Sequence, residues 1–142
     1  HWHFYKDGKD SIALKITGSQ ARSGQAAYLQ GKTYLYQDVE IEAGKRYEIK
    51  MHVNAPSPSF PWKYYCYWRK TKNSALPAEH NKPIQAQSYL KQTNGWINVF
   101  NGKSFIAPEG AKLLRVEIRT YGKEIIPEEG IYIDDFSVEL VE

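Results

Sequence analysis

Apolar and polar side chains alternate along most of this chain. In RYEIKMHVNA (46–55), Tyr47, Ile49, Met51 and Val53 alternate with Glu48, Lys50, His52 and Asn54. LLRVEIRTYG (113–122) repeats the pattern, with Leu114, Val116 and Ile118 set against Arg115, Glu117, Arg119 and Tyr121. SIALKIT (11–17) places Ile12, Leu14 and Ile16 at every second position. YLYQDVEIE (34–42) ends in Val39 and Ile41, and GIYIDDFSVEL (130–140) closes the chain. A period of two predicts half-buried β-strands. Turn signals separate them: AGK (43–45), APSPSFP (55–61), APEGA (107–111) and IIPEEG (125–130). No long segment has a helical period, and no repeat stands out. Many short strands between turns predict a β-sandwich or barrel. The longest stretch without a strand pattern is 71–89, and loops of that length are usually functional or mobile.

PWKYYCYWRK (61–70) changes the picture, because it packs five aromatic rings around a cysteine. On a strand, Tyr64, Cys66 and Trp68 share one face, and Tyr65, Tyr67 and Arg69 share the other. Free cysteine is among the most buried residue types, which points the Cys66 face inward. Tyr65 and Tyr67 then face outward beside Arg69. They form either a ligand surface with apolar faces and hydroxyl edges, or packing beneath a loop or against another chain. A one-residue slip would invert the assignment. By the same alternation Lys50, His52, Arg115, Glu117, Arg119 and Tyr121 face outward.

Composition sets outer bounds. The chain has 142 residues, enough for one domain with its own core and no staples. Its single cysteine permits no internal disulfide. No apolar run reaches the ~18 residues of a membrane span. No leader pattern opens the sequence, so a mature or excised domain is expected. The net charge of +3, from 19 basic and 16 acidic residues, is mild and interspersed, and calls for no nucleic-acid partner. Aromatic residues make up 14% of the chain, led by eleven tyrosines, a residue favoured in strands and at binding surfaces.

Four segments, ARSGQAAYL (21–29), YQDVEIEAGKRYEIKMHV (36–53), GWINVFNGKSFIAPEGAKLLRVEIR (95–119) and GIYIDDFSVEL (130–140), occur in an order that resembles the jelly-roll carbohydrate-binding modules of the family 4, 9 and 22 group, in the galactose-binding-like superfamily. The resemblance spans nearly the whole chain and implies an all-β, two-sheet antiparallel sandwich over 1–142. The family usually has a further strand ahead of the first tryptophan; here Trp2 nearly opens the chain, so that strand is expected to be absent or to lie outside this sequence, which bears on the closure of one sheet edge and on part of a metal site. The resemblance also implies that strand 46–55, the strand after it and strand 113–122 share one sheet with a concave outer face. That face would carry His52, Tyr65, Tyr67, Arg69, Arg115, Glu117, Arg119 and Tyr121. Tyrosine rings suit sugar C–H faces, and arginine and glutamate suit hydroxyls. Three arginines favour an acidic glycan. The alternative is a solvated sheet face with weak cross-strand ion pairs.

Trp62, after Pro61, is expected at a rim where it could stack a sugar, while Trp96 is expected in the core. In the resembled modules the aspartate matching Asp134 helps to hold a structural calcium, with Asp7 or Asp10 as candidate partners here. The other reading of Asp134 is a strand-end aspartate binding turn amides. His1 and His3 have chelating spacing at a chain end; His52 and His80 are scattered. No nucleophile elbow, phosphate loop, HExxH or paired-cysteine motif occurs, so no catalytic role has positive support. Together these features predict a non-catalytic carbohydrate-binding module of a secreted or surface bacterial protein. The alternative is an adhesion or assembly module that binds a protein.

Overall fold

The computed structural model describes residues 3–6, 12–17, 22, 26–82, 84–86, 88–90, 92–126 and 129–141, with backbone alone for 3–6 and 12–17. Among these residues there is no helix, and so none long and apolar enough to cross a membrane. The strands are β1 (His3–Lys6), β2 (Ile12–Thr17), β3 (Ala26–Gln30), β4 (Lys32–Glu40), β5 (Arg46–Asn54) and β6 (Trp62–Thr71), followed by β7 (Ser74–Ala75), β8 (Ile84–Gln85), β9 (Trp96–Asn98), β10 (Ser104–Ile106), β11 (Leu113–Tyr121) and β12 (Ile131–Val141).

They form two antiparallel six-stranded sheets packed face to face. One runs β1-β4-β11-β6-β7, with β8 also on β6; the other runs β10-β5-β12-β3-β2, with β9 also on β5. The alternation explains the arrangement. From one side come Leu35, Cys66, Trp68, Leu114, Val116 and Ile118; from the other come Leu29, Ile49, Met51, Val53, Ile131 and Ile133, and all are buried in one cluster. Two polar residues join that interior. Thr33 and Thr120 oppose each other in the β4–β11 register. The Thr33 amide donates to Thr120 Oγ1 at 3.1 Å, and Thr120 Oγ1 donates to the Gly31 carbonyl at 2.8 Å. The AGK turn works as read: Gly44 has φ +83°, open to glycine at no steric cost, and its amide reaches the Ala107 carbonyl at 2.8 Å.

The structure corrects three expectations. Strand β5 is not in the sheet of β6 and β11. It pairs with β12, β10 and β9, because the chain crosses the sandwich through 55–61. Lys50 and His52 therefore face outward on the opposite sheet. Trp62 is no rim residue: it stands four places before Cys66 in strand period and is 1% exposed. Trp96, on the short edge strand β9, is only half-buried and lies outside the core cluster, where Phe100 sits instead. β1 lies along β4, with His3 opposite Tyr36 and Lys6 opposite Thr33. The 71–89 segment holds the small strands β7 and β8. His1, Trp2, Asp7 and Asp10 lie outside the described residues.

Cys66 is fully buried, with its thiol pushed up in pKa by burial and then by the charge of Glu117. It is expected to resist a thiol reagent in the native protein and to react fully in denaturant. Ile118→Ala, at a site with no exposure, is expected to lower unfolding free energy by about 2–5 kcal/mol, read by urea unfolding.

Candidate functional site: the outer face of the β4–β11–β6 sheet

Strand β11 lies between β4 and β6, and the registers decide which side chains meet. Arg115 is opposite Asp38 and Tyr67; Glu117 is opposite Tyr36 and Tyr65; Arg119 is opposite Tyr34 and Lys63. Because Val116, Ile118 and Cys66 point inward, all of these point outward. The face is thus five tyrosines, counting Tyr121, threaded by two arginines and two carboxylates.

The charged groups pair within the layer. Arg115 grips Asp38 with two parallel bonds, Nε–Oδ1 at 2.7 Å and Nη2–Oδ2 at 2.8 Å, and its guanidinium lies 4.4 Å from the Tyr36 ring centre. Arg119 donates from Nε to Glu117 Oε1 at 2.6 Å and from Nη2 to the Tyr67 hydroxyl at 2.6 Å. The same guanidinium sits between two rings, 4.2 Å from Tyr65 and 4.9 Å from Tyr34. Such two-pronged, charge-assisted contacts suit the planar guanidinium and would be lost with lysine. Glu117 is only 7% exposed although it lies on an outer face, because this layer covers it.

The electrostatics follow. Burial pulls the Arg119 pKa down, but the hydrogen bond and charge of Glu117 outweigh it, and the net shift is upward. The hydrogen bond to Asp38 likewise raises Arg115. Burial, then the Glu117 charge, pushes the Tyr67 phenol up to about 12. Burial, then Tyr65, pushes Tyr121 up to about 12 as well, within hydrogen bonds to Arg119 and Tyr65.

At one end the face rises. Tyr89, from the 71–89 segment, meets Tyr121 edge-on at 4.9 Å, has Lys63 Nζ 4.8 Å from its ring centre, and is 55% exposed. At the other end Arg69 donates to the Thr71 and Lys72 carbonyls at 3.3 and 3.2 Å, and Arg115 also reaches Lys72 O at 3.2 Å.

Of the residues singled out from sequence, Tyr65, Tyr67, Arg69, Arg115, Glu117, Arg119 and Tyr121 come together here. His52 does not. It lies on the other sheet, its Nδ1 3.3 Å from the Asp135 carbonyl. Trp62 lies beneath the face rather than at its rim. Tyr34, Tyr36, Asp38, Lys63 and Tyr89 were not anticipated. The alternation of Tyr34, Tyr36 and Asp38 against Leu35 was the available signal for three of them; Tyr89 carried none. The three arginines expected to attract an acidic ligand are each occupied, two by carboxylates and one by backbone carbonyls.

Asp134 stands at a bulge in β12, where Asp135 has φ +46°. Its carboxylate accepts the amides of Arg22 at 3.0 Å and Asp135 at 2.8 Å, and the Arg22 guanidinium pairs with Asp135. Calcium takes six to eight oxygens. Among the described residues no cluster of three or more His, Cys, Asp or Glu could hold a metal. Asp134 thus binds turn amides at the bulge, with a cation alongside; Asp7 and Asp10, the candidate calcium partners, lie outside the described residues.

The fold is the one shared by jelly-roll carbohydrate-binding modules. The CBM22-1 xylan-binding domain of Paenibacillus barcinonensis Xyn10C superposes with TM-score 0.65 at 15% identity, over 99% of this chain and 86% of that one. The CBM22-1–GH10 modules of Clostridium thermocellum endo-1,4-β-D-xylanase 10B, solved with xylohexaose, give 0.67 at 13% identity, over 99% of this chain and 26% of that one. The enzymatically active domain of tailspike protein 4 of bacteriophage CBA120 gives 0.74 at 11% identity; this chain covers 19% of its length with 99% of its own. No protein-family model matches the chain, and no curated protein sequence matches it.

The tyrosine layer has a titration signature. A phenol raised to about 12 in the folded state holds its proton where the unfolded chain, near 10, releases it. The stabilisation is complete below pH ~10 and is lost as pH rises from ~10 through ~12. Ultraviolet titration is expected to show two late-ionising tyrosines, and Tm is expected to fall over that alkaline window. Tyr67→Phe should remove one late ioniser.

Proposed function

We propose that the outer face of the β4–β11–β6 sheet binds an oligo- or polysaccharide, as a non-catalytic module of a secreted or surface bacterial protein. The observation that carries this reading is the preformed tyrosine layer ending in the raised, exposed ring of Tyr89. Sugar rings offer C–H faces for stacking and hydroxyls for hydrogen bonds, and a tyrosine surface answers both. The layer is already fixed by Arg115 and Arg119, so little ordering is needed in the protein on binding. The fold's likeness to xylan-binding modules supports the same class of ligand.

Because Arg115 and Arg119 are cancelled by Asp38 and Glu117, the reading favours a neutral glycan over an acidic one. The clamped carboxylates are likewise poor candidates for the acid–base pair of a glycoside hydrolase, which supports binding rather than cleavage.

Calorimetry against xylo- and cello-oligosaccharides and a uronic-acid polymer tests this. A few stacking contacts and hydrogen bonds, less the cost of ordering a flexible sugar, give an expected Kd between about 1 mM and 1 µM. Tyr89→Ala should weaken binding by roughly fivefold, the ~1 kcal/mol of one stacked ring. His52→Ala should leave it unchanged. Raising salt should have little effect. A silent broad glycan screen, with a protein partner captured through this same face, would replace this reading with the assembly module.

A further inference from the structure

On the inner side of β6, away from the tyrosine layer, the sandwich stays open along one edge. The flanking strands there are short: β8 has two residues and β10 three. The gap is a cleft of about 580 Å³, a size typical of small-ligand sites. Its floor is the core itself. Tyr64 and Trp68 reach it from β6, and Phe100 and Phe105 from the facing sheet. Tyr64 meets Phe100 at 5.0 Å in an edge-on contact, and Phe100 meets Phe105 at 6.4 Å in the same way.

Two further observations say what such a cleft would accept. Arg46, Lys82 and Lys103 line it, and no Asp or Glu does. Among the described residues none of these three cations is paired with a carboxylate; Arg46 gives one N–H to Ser104 Oγ at 3.1 Å. The contrast with the tyrosine layer, where both carboxylates are clamped by arginine, is direct. The Tyr64 hydroxyl also has no hydrogen-bond partner among the described residues, and burial favours its protonated, donating form.

We propose that this edge cleft binds a small organic carboxylate with a flat apolar body, such as an aryl alkanoate. The body would displace water from the rings of Tyr64, Phe100 and Phe105, where apolar burial provides the attraction. The carboxylate would meet the cations at the mouth, and the Tyr64 hydroxyl would donate to it. The cleft and the tyrosine layer lie on opposite sides of β6. The proposal therefore does not rest on carbohydrate binding, and either can fail alone.

The test is a nuclear magnetic resonance titration of the ¹⁵N-labelled full chain with 3-phenylpropionate, 3-phenyl-1-propanol and acetate. Saturable shifts are expected at Tyr64, Phe100 and Lys103. The aryl carboxylate should bind at least about tenfold more tightly than the alcohol, which lacks the charge, and than acetate, which lacks the body; tenfold is ~1.4 kcal/mol. Lys82→Gln with Lys103→Gln should remove most of the preference over the alcohol, leaving Tm and alcohol binding unchanged. Tyr64→Phe should weaken the carboxylate a few-fold. Equal affinity for carboxylate and alcohol, indifference to the double substitution, or no saturable shift at the cleft would each overturn the proposal.

Discussion

A slip of one residue between β6 and β11 would carry Tyr65 and Tyr67 into the core and expel Cys66 and Trp68. Everything else depends on that register being held. It is held from both sides of the sheet. Inside, Val116 faces Cys66 and Ile118 faces Tyr64 within a close-packed cluster. Outside, Arg119 ties the Tyr67 hydroxyl to Glu117 across the same pair of strands. The apolar alternation chooses the face, and the polar layer fixes the partner residue by residue.

That polar layer is unusual in being largely sealed. An exposed sheet face ordinarily carries ion pairs worth a few tenths of a kcal/mol each. Here Asp38 and Glu117 are shielded by rings, so losing one arginine would strand a poorly solvated carboxylate, which costs several kcal/mol. The charges of β4 and β11 thus act on rings and strands more than on solvent. Arg119, held between Tyr34 and Tyr65, sets the pitch of the aromatic surface. Charged residues that read as ligand donors are instead part of its framework.

The strand pattern made most of this legible. The inward Cys66, the outward Tyr65 and Tyr67, and the outward set of β11 follow from alternation and the burial of a free cysteine, and the all-β class from alternation; the two-sheet sandwich is what the family resemblance implies. What alternation does not carry is which strands are neighbours. Strand β5 has the clearest period of all, yet its place in the other sheet depends on the crossover at 55–61, and so His52 faces outward on the opposite side of the sandwich. Trp62 was misplaced for a different reason: its neighbour Pro61 suggested a loop, although its even spacing from Cys66 already marked it as buried. Tyr89 joins the face only through the folding of a segment with no period. The pairing of Arg115 with Asp38 spans 77 residues, a distance over which local sequence is silent.

The same segment has a consequence for how copies of this chain meet. β6 is ten residues long and would offer a row of unpaired backbone groups to any passing strand. Residues 71–89 fold back over that edge in two pieces, β7 against Arg69 and Thr71, and β8 against Tyr65 and Cys66. Each piece is two residues long, enough to occupy β6 and too short to template a further strand. An aromatic-rich strand that would otherwise invite self-assembly is left with no continuous edge to share.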